Sequence, residues 1–165
     1  MLFGATLFIA LAALTSVASS KIGEPDVNGA VAAALKHQLT DLLGADAVGG
    51  KDAAVEPFAL CVESVVSLDM DAIERDFSGT VIQPVPESAC TSETIEGDFG
   101  MFSAITRYYD ARGAEAAHLE VAGASCPDTR TCVVDIDSRG AGERFITRRE
   151  GQAWSVVERR TRWVV

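Results

Sequence analysis

The sequence predicts an α+β domain with its helices first and an antiparallel sheet last. Three observations carry this. An apolar stripe of helical period follows an apolar leader, the period drops to two from Phe99 onward, and turn signals divide the later apolar segments at short intervals. With 48% hydrophobic and 23% charged residues among 165, the chain has the composition of a packed domain and not of a disordered one.

The leader, residues 2–14, reads LFGATLFIALAAL, and the six residues after it are small. Ser16 and Ala18 satisfy the small-x-small rule of signal peptidase, so residues 1–18 are read as a signal peptide cut after Ala18, although no Lys or Arg precedes the apolar run. The rival reading is a retained anchor, but the run offers about 17 apolar or small residues where a span needs roughly 20. No later segment is long and apolar enough to cross a bilayer, so no stable membrane span is expected after cleavage. Of the mature chain, residues 19–54 are read as an N-terminal helix and loop. Residues 55–165 are read as one α+β domain, which the helix completes.

Export fixes the redox compartment. Cys61, Cys90, Cys126 and Cys132 are an even set beyond a signal peptide and are expected as disulfides. Cys126–Cys132 is the favoured pair, because only five residues lie between them and strand-like segments flank them; Cys61–Cys90 then follows. Spacings of 29, 36 and 6 match no zinc knuckle, and no C-x-x-C pair occurs, so no metal and no cofactor is expected. Arg outnumbers Lys 11 to 3, a usage that fits a GC-rich bacterial genome and so a periplasmic or extracellular location.

Asp26 is a suitable N-cap, and Val27, Val31, Leu35, Leu39 and Leu42 recur at helical spacing, predicting a helix over 27–43 with Gly44 as its stop. Residues 45–55 read as a loop. Pro57 fits a first helical turn, and Phe58, Cys61, Val62, Val65 and Val66 follow the helical pattern, so a second helix is expected over 57–67, though its β-branched valines also suit a strand. A short helical piece follows over 69–77 with Asp69 as cap. Residues 80–85 are extended, and Pro84 and Pro86 place them at an edge. Residues 87–98 read as an acidic loop carrying Cys90. Strands are expected over about 100–109, 115–124, 131–138, 143–149 and 154–165, with short turns that make neighbours antiparallel. The result is a C-terminal β-meander whose buried face the N-terminal helices must cover. This order, a helix and then a curved antiparallel meander, is similar to cystatin-like and NTF2-like architectures. The similarity is one of element order alone, and no functional residue is carried over from it.

The formal charge of −10 argues against a nucleic-acid partner. Charge is uneven: residues 19–138 carry a net −14, and residues 139–165 a net +4. Arg144, Arg148, Arg159, Arg160 and Arg162 in the last strands are therefore candidate ligands for an anion, since a guanidinium holds an oxyanion bidentately. The alternative is cross-strand pairing, above all with Asp135 and Asp137. His37 lies one helical turn before Asp41, and His118 shares a strand face with Glu120; neither has metal-ligand spacing. The acidic run Asp69, Asp71, Glu74, Asp76 lacks the glycine and terminal Glu of a calcium loop and reads as a solvated face. No G-x-S-x-G elbow and no Gly-rich phosphate loop occurs. The expectation is an exported, non-enzymatic module that binds a small ligand or a protein, an anionic one where the Arg residues are involved. The alternative is a small hydrolase or isomerase with His118 or a carboxylate as general base in a cavity between helix and sheet. Reducing the exported chain is expected to lower its melting temperature markedly, each bridge contributing about 2–4 kcal/mol; an unchanged thermal transition would speak against the bridges.

Overall fold

The computed structural model describes residues 25–45, 48, 56–99 and 102–165. The expected signal peptide, residues 1–18, and most of the expected 45–55 loop lie outside the described residues. Helix α1 runs Val27–Leu43, and the Asp26 carboxylate caps it by accepting the Gly29 N–H at 3.0 Å. Its buried face is broader than the expected stripe. Val31, Leu35 and Leu39 are fully buried, and so are Gly29, Ala30, Ala32 and Ala34, while Leu42 is 56% exposed. The small residues let the helix axis approach the sheet closely.

Strand β1 (Phe58–Ser64) stands where a second helix is expected. Ala59, Leu60, Cys61 and Val62 are all buried, because β1 lies between two neighbours and is covered on both faces. A strand buried on both sides has no alternation, and its short apolar run cannot be told from a helical segment by period. The "helices first" order therefore fails at this point. Helix α2 (Met70–Asp76) follows, capped by Asp69, then β2 (Ile82–Pro86), which is an edge strand as its prolines require. β1 pairs with β2 in parallel, so β1, α2 and β2 make one βαβ unit.

A 3-10 turn at Glu87–Ala89 leads into β3 (Thr91–Phe99), which replaces most of the expected acidic loop. β3 pairs antiparallel with β4 (Phe102–Tyr109). The rest of the meander stands close to expectation: β5 (Glu115–Ser125), β6 (Thr131–Ser138), β7 (Ala141–Glu150) and β8 (Ala153–Val164). Gly140 and Gly151, both at positive φ, close the last two turns. The order β2-β1-β5-β6-β7-β8 forms one sheet, and the β3–β4 hairpin joins it through Tyr108 and Tyr109 at the start of β5. β1 also pairs in parallel with β5, so the sheet is mostly antiparallel rather than a pure meander. The architecture is α+β, and the core gathers α1, α2 and the inner faces of β1, β5, β6 and β7. Both disulfides pair as expected, Cys61 with Cys90 and Cys126 with Cys132. Among the described residues, no helix is long and apolar enough to cross a membrane.

Asp26 has a second task. Its other carboxylate oxygen accepts the Trp154 indole N–H at 3.2 Å, tying the start of α1 to β8. A Cβ at Gly29 would lie 2.6 Å from both Asp26 Oδ2 and Trp154 Cδ1. Gly→Ala inside a helix ordinarily stabilises by about 0.5–1 kcal/mol. Here Gly29→Ala is expected to destabilise instead, by about 1–3 kcal/mol through overpacking; a urea midpoint equal to or above wild type would refute the tight seat of Trp154.

Candidate functional site

Strand register decides which side chains share a face. Leu60 and Val62 of β1 and Leu119 and Val121 of β5 belong to the buried core. Cys61 and Glu63 therefore point to the other face, opposite His118 and Glu120, their Cα partners across the parallel pair. The same row continues sideways: Glu120 pairs with Asp137, Asp137 with Gly142, and Gly142 with Trp163. A Cβ at Gly142 would fall 2.1 Å from the Trp163 Nε1 and 2.5 Å from Asp137 Oδ1, so the indole lies directly over the glycine, beside that carboxylate.

Above this face stands the β3–β4 arm. Tyr108 stacks on His118 with ring centroids 3.9 Å apart and planes within 8°. Arg139 reaches across to the arm, its guanidinium donating to the Thr106 carbonyl. Between arm and sheet lies an open cleft of about 590 Å³, lined by Ala104–Tyr108 of β4, Glu115–Glu120 of β5, Asp137–Arg139, Leu42 and Trp163.

At one end of the cleft, charge is concentrated. His118 Nε2 lies 3.4 Å from Glu63 Oε2. It is buried and has no hydrogen-bond partner, the carboxylate contact being too poorly aligned to serve as one. Glu87 joins them: one ligand-type atom from each of Glu63, Glu87 and His118 lies within 4.8 Å of the others. The Cys61–Cys90 bridge brings Glu87 there, because the 3-10 turn holding Glu87 ends in the Cys90 N–H donating to the Glu87 carbonyl at 2.8 Å. Burial pushes the Tyr108 phenol above its ordinary value; Glu87, Glu63 and Glu120 push the same way, against Arg139.

Four of the five Arg residues expected to hold an anion face internal carboxylates. Arg144 grips Asp135 bidentately at 2.7 and 2.8 Å. Arg162 lies 2.7 Å from Asp137. Arg159 joins Asp41 of α1 to the buried Glu143, and Arg160 pairs with Glu158 on its own strand. Arg148 is exposed on β7. The structure thus brings Arg144 and Arg162 together around Asp135 and Asp137 and scatters the others. His37 packs edge-on against Phe145, 5.7 Å between centroids, and is not near His118's cluster. The acidic run on α2 is exposed at Asp69, Asp71, Glu74 and Asp76.

Sequence reasoning places His118 and Glu120 on one face, and it reads Tyr108 and Trp163 among aromatics that either line a pocket or fill the core, but it misses Glu63 and Glu87. Glu63 was assigned to a helix and Glu87 to a loop. The usable signal was the Cys61–Cys90 pairing, which demands that residues near Cys90 lie beside residues near Cys61. Comparison with protein-family models, with curated proteins and with solved structures gives no match.

The Arg144 hydrogen bonds hold the Asp135 carboxyl below its usual range in spite of burial, and Arg162 adds to this. A carboxyl lowered on folding supplies stability that is complete above its unfolded value, about pH 4, and that is lost as pH falls through the folded value. Asp135→Asn is therefore expected to lower stability at neutral pH and to flatten its decline in acid. Urea midpoints followed from about pH 6 down to about pH 2 test this; parallel curves for the two proteins would refute it.

Proposed function

We propose that the chain is an exported binding module that takes a small organic ligand in the cleft between the β3–β4 arm and the outer face of the sheet. The observation that carries this reading is the cleft itself. Its volume, about 590 Å³, falls in the range of small-molecule sites, and it pairs two aromatic surfaces with a few oriented polar groups. Tyr108 and Trp163 both line it, together with Glu120, Asp137, Ser138 and Arg139. The two disulfides favour an oxidising compartment, in keeping with periplasmic or extracellular residence. A likeness in element order to cystatin-like and NTF2-like architectures stays a proposal for α1 and the antiparallel strands, and the parallel β1–α2–β2 unit is no part of it. An anion held by the C-terminal Arg residues is the weaker version of the binding reading, since most of those guanidinium groups already face carboxylates.

A second reading has one observation in its favour. His118 lines the cleft with its ring fixed by Tyr108 and the Glu63 carboxylate 3.4 Å from its Nε2, close enough for a small side-chain turn to make the carboxylate–imidazole hydrogen bond that a general base uses. It would make the protein a small hydrolase or isomerase acting in the same cleft.

Native mass spectrometry of the chain secreted into the periplasm tests the binding reading. Wild type is expected to carry a small-molecule adduct, and Trp163→Ala and Tyr108→Ala to lose most of it. If all three proteins give the bare mass of the oxidised chain, the cleft reading falls.

A further inference from the structure

The cluster of Glu63, Glu87 and His118 has features that neither a binding cleft nor packing requires. Glu63 and Glu120 stand directly opposite each other across β1 and β5, and Glu87 is brought beside Glu63 and His118. Like charges in facing strand positions destabilise a sheet. Among the described residues, the only basic group within salt-bridge distance of any of these three carboxylates is the His118 imidazole. That imidazole keeps its Nε2 buried and without a hydrogen-bond partner, while stacking on Tyr108 fixes the ring's direction. A buried, unpartnered imidazole nitrogen beside carboxylates is the pattern of a ligand set.

The distances agree. Zn–N and Zn–O bonds of about 2.0–2.2 Å in a tetrahedron put neighbouring ligand atoms roughly 3.3 Å apart. His118 Nε2 and Glu63 Oε2 are 3.4 Å apart, and Glu87 needs only a small side-chain movement from within 4.8 Å, which its exposed position permits. We propose that Glu63, Glu87 and His118 form a binding site for a divalent transition-metal ion of the zinc type. One nitrogen and two carboxylate ligands suit such an ion better than calcium or magnesium, which take oxygen ligands in larger number. Three protein ligands leave a fourth position for water or for a donor atom of a bound molecule. Glu120, adjacent on the same face, adds negative potential without needing to ligate. The site stands whether or not the cleft takes an organic ligand.

The Cys61–Cys90 bridge holds the turn that carries Glu87, so the complete ligand set belongs to the oxidised protein. This sets the test. The oxidised chain, stripped with chelator, is titrated calorimetrically with ZnCl₂ and, separately, with CaCl₂. One Zn²⁺ per chain is expected, with Ca²⁺ at least ~10-fold weaker. Glu87→Gln, a surface change, and His118→Gln are each expected to weaken Zn²⁺ by ~10-fold or more. Glu74→Gln, on the exposed face of α2, is expected to leave it unchanged. Circular dichroism confirms that each variant is folded, and Glu87→Gln keeps the test alive should the His118 variant unfold. Absence of Zn²⁺ binding to the wild type, or binding that survives Glu87→Gln at full strength, would overturn the proposal.

Discussion

The seat of α1 on the sheet is the constraint on which the rest depends. An eight-stranded sheet with one apolar face must cover that face, and α1 is the principal cover, with α2 beside it. Its small residues Gly29, Ala30, Ala32 and Ala34 bring the backbone close, and Val31, Leu35 and Leu39 fill the space between. Each fully buried branched side chain contributes about 1.5–3 kcal/mol. The polar contacts at the two ends are smaller: Asp26 to Trp154 at the start, and Asp41 through Arg159 to Glu143 near the finish. A partly exposed ion pair contributes roughly 0–1 kcal/mol. Apolar burial therefore drives the docking. The polar contacts select one rotation and one axial position of the helix, because slipping α1 by a turn would strand the buried Glu143 and Trp154 together.

From that seat the chemistry of the opposite face follows. Strand side chains alternate, so fixing Leu60, Val62, Leu119 and Val121 against the helix obliges Cys61, Glu63, His118 and Glu120 to share the other side. A slip of β1 by one residue would carry Glu63 into the core and Leu60 out of it, and is thereby excluded. The cleft inherits its position in the same way: Gly142 is the small residue in the row, and it is where the Trp163 indole rests.

How much of this could be read from the sequence depends on whether a segment has one face or two. α1 and β5–β7 each bury one side against the core, so their periods of 3.6 and 2 are visible in the residues, while β8 touches the core only through Trp154 and Val156 and was legible from the turn before it. α2 and β2 were legible from Asp69 and from Pro84 and Pro86, local signals that need no periodicity. β1 was misread because it is buried on both faces and does not alternate. β3 failed for the opposite reason. In TSETIEGDF only Ile95 and the terminal Phe99 are apolar in a polar run, because the arm it forms with β4 pairs with the rest of the sheet only at its end. The candidate site was half legible, since its two visible members lie on β5, and the members that came from β1 and from the turn before β3 were lost with those assignments. The Arg residues of β7 and β8 were visible from composition, and so was the alternative of cross-strand pairing: register shows Asp135 opposite Arg144, and the fold brings Asp137 to Arg162 and Asp41 to Arg159.

Why the outer face tolerates its acidic cluster is a question of magnitudes. Two full charges about 5 Å apart in water repel by only about 1 kcal/mol, and Glu87 is exposed and Glu63 partly so. A disulfide closing a loop of this size contributes about 2–4 kcal/mol, chiefly by restricting the unfolded chain. The repulsion is the smaller of the two, and the covalent bridge between Cys61 and Cys90 holds the turn that carries Glu87 beside β1. Without the bridge, an exposed 3-10 turn that begins with an acidic side chain has an electrostatic reason to swing toward water. The same repulsion that makes the cluster costly in isolation makes it receptive to positive charge, since any cation placed among Glu63, Glu87 and Glu120 relieves several unfavourable pairs at once. Oxidation, on this argument, does more than brace the sheet: it preorganises a ligand set that the reduced chain would let fall apart, so the compartment that forms the bridge is also the one in which the site exists.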